Sequence, residues 1–305
     1  MLADVPLKNY GATRAPWLAD AVIGLAFSAP AFVFMMILLI VPMIAVLAIA
    51  LTDWTLGAKT LAFVGFANFA ALFGDPVFRA SLANTFIYVA IVVPGTTLLG
   101  LAVALLIESG GSLRAFYRTA HFLPVMTTLA AMAIVWEALL HPTIGLVNQI
   151  LLSIGLPAIN WLRDDRTVLV TLAALGIWQQ LGFAMVLFLA GLKAIPRELY
   201  DAADTDGADG VLDRLRTVTL PMLSPVTMLV VVIVALRAFE VFDTVKILTQ
   251  GGPDKASEVL LYTLYVESFE FLRTGYGAAI TVIFLIIVAT LTLLQVRIAD
   301  RRVHY

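Results

Sequence analysis

The sequence predicts an all-α membrane protein with about six transmembrane helices, and three observations carry that expectation. The chain has 305 residues, 61% hydrophobic and only 13% charged, with a mean hydropathy of +0.99. A soluble domain is about half apolar and a quarter charged. The apolar residues fall into long blocks, six of which reach roughly the 20 residues a helix needs to cross the hydrocarbon core. Lys and Arg are divided unevenly between alternate connections, as the positive-inside rule leads one to expect.

The first block covers 21–51. It follows a polar lead over 1–20 in which Asp4, Lys8, Arg14 and Asp20 are spread out. The block is too long for the core of a secretory signal and has no polar mature domain behind it, so it reads as the first span. The second span is expected over 82–107 and the third over 120–140. An apolar stretch over 145–155 is too short to cross and is expected at the interface or packed on the outer face. The fourth span is expected over 168–192, the fifth over 223–242 and the sixth over 277–296. Pro30, Pro42, Pro94 and Pro124 fall in or near these spans. Proline is tolerated there because neighbouring helices and local adjustments satisfy the freed carbonyls.

One set of connections holds Lys8, Arg14, Arg114, Arg118, Lys193, Arg197, Arg214, Arg216, Arg297, Arg301 and Arg302. The other set holds Lys59, Arg79, Arg163, Arg166, Lys246, Lys255 and Arg273 over more residues. The bias puts both termini, the 108–119 connection and the 193–221 connection in the cytoplasm. There is no internal repeat. The organisation is a cytoplasmic lead over 1–20, one transmembrane domain over 21–297 and a cytoplasmic tail over 298–305.

Several functions are disfavoured. A net charge of −2 gives no basic footprint for nucleic acid. The absence of cysteine removes disulfides, thiolate metal sites and cysteine nucleophiles. His121, His141 and His304 lie far apart and fit no metal pattern. Gly57-Ala58-Lys59-Thr60 lacks the G-x-x-x-x-G-K pattern of a phosphate loop, so this chain is not expected to hydrolyse ATP. Nothing resembles a nucleophile–base pair, and the chain reads as non-catalytic, with membrane lipid as its solvent.

The connection between the fourth and fifth spans carries most of the functional information. It reads Ile195-Pro196-Arg197-Glu198-Leu199-Tyr200-Asp201-Ala202-Ala203-Asp204-Thr205-Asp206-Gly207-Ala208 and closes at Leu220-Pro221. Pro196 suits the first turn of a helix, and Glu198 and Asp201 suit its positive end. Gly207 suits the left-handed position that stops a helix. A second helix is expected to run to about Leu220. The product is a helix, a glycine turn and a helix.

This string resembles the EAA loop of permease subunits of binding-protein-dependent ABC importers of the carbohydrate-uptake type, which reads approximately E-L-Y-E-A-A-x-x-D-G-A and later L-P. One position departs: Asp201 stands where the family usually has Glu, keeping the charge with a shorter reach. Other segments are similar to sugar permeases in order and spacing, including Asn84-Thr85-Phe86, Arg118 through Pro124, Trp136, Gly145 with Asn148, and Trp161-Leu162. Trp178, Gly182-Phe183, Ala190-Gly191-Leu192 and Leu248-Thr249-Gln250-Gly251-Gly252-Pro253 extend the likeness, which covers roughly residues 26–296. The T-x-G-G-P loop is like that of the first of two paired permease types.

The resemblance implies a type I ABC importer permease fold in a bacterial inner membrane. It implies that Glu198, Tyr200, Asp201, Ala202, Ala203, Asp206, Gly207 and Ala208 form a coupling helix seated in a cytoplasmic ATPase. It implies a homologous second permease, two ATPase subunits, an extracytoplasmic solute-binding protein and a carbohydrate-type substrate. ATP and Mg belong to the partner ATPase subunits, and no cofactor is expected on this chain. Sugar contacts are implied at Gln180, Phe183, Glu240 and Val241, joined on local grounds by Arg237.

Arg237 and Glu240 are three residues apart, so on one helix they are neighbours. They either neutralise each other or line a polar path, since ionisable groups at membrane depth default to functional readings. Trp136 reads as an interfacial belt residue beside Glu137. The alternative function is a self-sufficient secondary transporter of a small polar solute. The EAA-like loop and the scarcity of intramembrane carboxylates argue against it.

Overall fold

The computed structural model describes residues 16–110, 112–208 and 210–302. The expected lead over 1–20 and tail over 298–305 therefore lie largely outside the described residues, although helix already begins at Pro16. Among the described residues four helices are long and apolar enough to cross a membrane, and six spans result if each of two bent helix pairs counts as one. The expected all-α architecture holds.

The first span joins α1 (Pro16–Met35) to α2 (Val41–Ala50) through a wider turn over Met36–Ile40. That turn precedes Pro42, whose missing N–H leaves a carbonyl of the preceding turn without its helical partner. A short α3 (Ala67–Gly74) leads into α4 (Pro76–Ser109), which runs unbroken through Pro94. The Asp75 side chain accepts from the Val77 N–H at 2.8 Å and caps α4.

The third span differs from expectation. It is two helices, α5 (Arg114–Met126) and α6 (Leu129–Leu139), with a bend of 107° between Arg114–Met126 and Ala130–Leu139. Thr127 and Thr128 between them are extended. The Pro124 carbonyl is satisfied locally by the Thr127 N–H at 3.3 Å and its hydroxyl at 2.8 Å. Two β-branched residues with a local hydroxyl donor thus stop the helix that hydropathy alone would continue.

The short apolar stretch forms α7 (Leu146–Ser153), and α8 (Val168–Ala194) is the uninterrupted fourth span. The hairpin follows as α9 (Arg197–Thr205), α10 (Val211–Arg214), a wide turn over Leu215–Thr219 and α11 (Leu220–Met222). A 67° bend then opens α12 (Ser224–Phe239). Pro221 and Pro225 flank that bend, each removing one helical donor. The fifth span ends at Phe239 rather than at 242. A wide turn over Val245–Thr249, α13 (Leu260–Tyr265), another wide turn over Val266–Glu270 and α14 (Thr274–Arg302) complete the described chain.

The most extensive helix contact joins α4 to α8, and α12 packs on both. Gly100 faces Ala184 across the first pair. Gly182 lies against the His121 backbone, where even a methyl group would clash. Small residues allow such close approach, from which membrane helices draw packing energy. Val92, Leu172, Met185 and Phe188 are fully buried in this core. A second cluster forms where α14 packs on α2 and α3. The long apolar segment Ile23–Ala50 otherwise stands uncovered, as expected of a surface solvated by lipid or by another chain.

Candidate functional site

Two places hold the residues singled out by sequence, at different depths along the same two helices. The first is the hairpin at the end of α8. Pro196, extended at φ −61° and ψ 137°, starts α9. Gly207 has φ +87°, the left-handed geometry expected of it. The Gly207 N–H donates to the Asp204 carbonyl at 3.1 Å, and the Ala208 N–H donates to the Ala203 carbonyl at 2.9 Å. These paired bonds form a Schellman cap, completed by Ala203 and Ala208 both meeting the core. The Tyr200 hydroxyl is 3.1 Å from that of Thr219, and Arg214 bridges to Asp204 at 2.7 Å. Glu198, Asp201, Ala202 and Asp206 remain exposed, as do Leu199, Val211 and Leu212. Among the described residues this acidic and apolar outer surface stays uncovered.

The second place is a recess of about 270 Å³ lined by Val125, Gln179, Gln180, Arg237, Glu240 and Asp243. Gln180 lies near the middle of α8 and is 7% exposed. Its Oε1 has no hydrogen-bond partner among the described residues. The Arg237 guanidinium lies 4.3 Å from the centroid of the Phe183 ring, a cation–π contact. Sequence reasoning thus brings Gln180, Phe183, Arg237 and Glu240 to one place. Val241, 8% exposed, is packed in the core and does not line the recess.

No ion pair joins Arg237 to Glu240 among the described residues. Glu240 is the C-cap of α12 and keeps the helical bond from its N–H to the Leu236 carbonyl at 3.2 Å, so the spacing is helical and the side chains nevertheless do not pair. Mutual neutralisation is therefore not the arrangement found. Gln179 and Asp243 were not among the residues expected to line a path. The signal available for the first was two consecutive amides inside an apolar block. Trp136, expected in the interfacial belt, packs edge-on against Trp178 at 5.2 Å.

The end of the bundle away from the hairpin is tied by buried polar side chains. Asn148, fully buried, donates to the Pro142 and Ile159 carbonyls at 3.0 and 2.9 Å. Its Oδ1 accepts from the Ile159 N–H at 3.1 Å and from Trp161 Nε1 at 3.0 Å. Asn84 donates to the Lys255 and Glu258 carbonyls at 3.0 and 2.9 Å. Glu258, 1% exposed, receives Lys255 Nζ at 3.2 Å and the Thr263 hydroxyl at 3.0 Å. Asp75 accepts from the Tyr276 hydroxyl at 2.7 Å. Burial would raise the Asp75 pKa, but the Tyr276 hydroxyl, the Val77 and Phe78 N–H groups and Arg273 hold it below the usual carboxylate value. Among the described residues no group of three or more His, Asp or Glu side chains converges to hold a metal ion.

Residues 96–305 match the family described as binding-protein-dependent transport system inner membrane component. The chain is 35% identical to the probable ABC transporter permease protein YurN of Bacillus subtilis, over 91% of this chain and 96% of that one. It is 35% identical to the sn-glycerol-3-phosphate transport system permease protein UgpA of Agrobacterium fabrum, over 80% of this chain and 83% of that one. It is 29% identical to the sulfoquinovosyl glycerol transport system permease protein SmoG of the same organism, over 92% of this chain and 91% of that one. Its fold is similar to a chain in the crystal structure of a bacterial ABC transporter involved in the import of the acidic polysaccharide alginate. That match has a TM-score of 0.81 at 23% identity and covers 94% of this chain and 99% of the other.

Proposed function

The chain belongs to the family of binding-protein-dependent transport system inner membrane components, and we propose that it forms half of the translocation path of an ATP-driven importer of a sugar or sugar derivative. The named cargoes of two relatives, sn-glycerol-3-phosphate and sulfoquinovosyl glycerol, support a polyhydroxylated solute. A self-sufficient secondary transporter is set aside by family membership. In this reading a second permease completes the path and two ATPase subunits bind ATP and Mg. A solute-binding protein delivers cargo from outside. The hairpin and both termini lie in the cytoplasm.

One observation carries the reading: the hairpin joins the two helices that wall the recess. α8 supplies Gln179 and Gln180, carries the Phe183 ring against Arg237, and runs into the hairpin at Ile195. α12 leaves the hairpin at Leu223 and supplies Arg237. A displacement of α9 by an ATPase is passed to one wall through the Ile195-Pro196 junction with α8, and to the other through α10, α11 and the bend that opens α12. Glu198, Tyr200, Asp201, Ala202, Ala203, Asp206, Gly207 and Ala208 are the coupling residues in this account.

The test is Gly207→Val in complexes reconstituted with partner permease, ATPases and binding protein. No atom lies within 4 Å of an added Cβ there, so the strain is purely conformational. A β-branched residue at positive φ costs roughly 1–2 kcal/mol or more. The variant is expected to insert and to keep basal ATP hydrolysis, while solute-stimulated hydrolysis falls about tenfold or more. Wild-type stimulation in Gly207→Val refutes the coupling role. The chain has no cysteine, so Ala208→Cys reports orientation without background. Labelling by an impermeant thiol reagent applied from outside refutes a cytoplasmic hairpin.

A further inference from the structure

The recess beside Arg237 also carries information about the charge of what it holds. Its polar lining is unequal in sign: Glu240 and Asp243 are acidic, Arg237 is basic, and Gln179 and Gln180 are neutral. The nearest further cation along the chain, Lys246, does not line it. Its Nζ sits 3.7 Å from the centroid of the Tyr265 ring and 5.5 Å from that of Phe242, and is held there by their π faces. Arg237 is engaged with Phe183 in the same way. The recess is therefore rich in hydrogen-bond acceptors and carries a surplus of one negative charge.

The Gln180 amide adds an independent sign that a donor is missing. Its Oε1 is buried and without a partner among the described residues. A buried acceptor left unpaired is costly, and native structures rarely leave one so. A solute hydroxyl or a water molecule supplies the required O–H. The carboxylates of Glu240 and Asp243 accept from hydroxyls equally well, each with several lone pairs.

We propose that this recess takes uncharged, hydroxyl-rich solutes and turns anionic ones away. The proposal rests on the importer reading for its biological meaning, but its physical content is the sign of the potential inside the recess. One surplus negative charge at about 6 Å disfavours an anion by roughly threefold in bulk-water dielectric and by about a hundredfold at an effective dielectric near 20. A neutral polyol meets no such penalty and finds acceptors for its hydroxyls. Cargo of either charge is compatible with family membership, so the recess decides what the family leaves open.

The test uses the absence of native cysteine. Val125, on α5, lines the recess and is half-buried. Val125→Cys, in the assembled complex in detergent, is reacted with three methanethiosulfonates: uncharged methyl, cationic trimethylammonioethyl and anionic sulfonatoethyl. Each rate is divided by the rate of the same reagent with 2-mercaptoethanol, which removes intrinsic reactivity. The normalised anionic rate is expected to fall at least about fivefold below both the neutral and the cationic rates. Adding Glu240→Gln and Asp243→Asn together is expected to raise the anionic rate to the neutral one or above. A normalised anionic rate equal to or above the neutral one in the Val125→Cys chain overturns the proposal. So does an anionic rate that the double substitution leaves unchanged, or a thiol that none of the three reagents reaches. Failure of the importer reading shows elsewhere, as absence of ATP-dependent uptake, and leaves these rates as they are.

Discussion

The end of the bundle that carries Asn84, Asn148 and Glu258 is tied across the whole chain, whereas the hairpin end is tied mainly to itself. Asn84 reaches carbonyls 171 and 174 residues away, and Tyr276 reaches Asp75 across 201. In the hairpin the side-chain bonds run from Tyr200 to Thr219 and from Arg214 to Asp204, separations of 19 and 10. The first set joins helices that hydropathy treats as independent. The second stays within one hairpin, which meets the main core through apolar contacts of Ala203, Ala208 and Val218 rather than through the side-chain bonds named here. Long-range polar ties at one end and locally tied side chains at the other suit the coupling proposed above.

The contrast can be broken by substitution, and the largest expected effect is at Asn148. Asn148→Ala strands the part-buried Ile159 and Trp161 N–H groups and the Pro142 and Ile159 carbonyls at once. Each stranded group costs about 1–3 kcal/mol before relaxation and water entry recover part of it. A net loss of about 3 kcal/mol is expected, read as a lower thermal midpoint in detergent together with reduced yield. A variant as stable as wild type removes the polar ties from the comparison.

Asn84→Ala sharpens the same point at intermediate size. It removes two donated bonds to the segment after Pro253 while leaving α4 itself intact. A loss of about 1–2 kcal/mol is expected, with faster hydrogen exchange over residues 249–260. Unchanged exchange there means that the segment is held by its own turn and not by α4.

Asp204→Ala should have the smallest effect. Its bridge to Arg214 is short, but the two side chains are 36% and 42% exposed. Solvent-screened pairs of this kind contribute about 0–1 kcal/mol. Stability is expected to move by less than about 0.5 kcal/mol, with the Schellman cap preserved because backbone groups make it. A large loss makes the hairpin end as firmly bound as the other and collapses the distinction.

Much of this was legible in advance, and what was missed has a common character. Pro196 and Gly207 announce the start and stop of α9 by local rules, and φ +87° at Gly207 agrees. The fourth span begins at the expected Val168 because nothing within it disrupts a helix. The third span was misread because hydropathy registers that Thr127 and Thr128 sit in an apolar block, not that their backbone is extended beside Pro124. Arg237 and Glu240 were left either paired or lining a path, because helical spacing makes them neighbours but does not say that the guanidinium turns to the Phe183 ring instead. Glu258 gave no signal, since a buried carboxylate is recognised only once Lys255 and Thr263 are seen around it.

By itself the sequence determined that this chain lives in a bilayer, where the hairpin turns and which family string it carries. Each of these depends on the transfer of a short segment out of water or on the dihedral preferences of single residues, and both are local quantities. The tertiary structure alone decided that α8 and α12 wall one recess, that Arg237 lies over Phe183, that Val241 faces the core and that Asn84 holds a segment 171 residues away. Those outcomes depend on which helix faces meet. In lipid, where all apolar faces are nearly equivalent, that choice rests on shape and on a few buried polar groups whose partners lie far off along the chain.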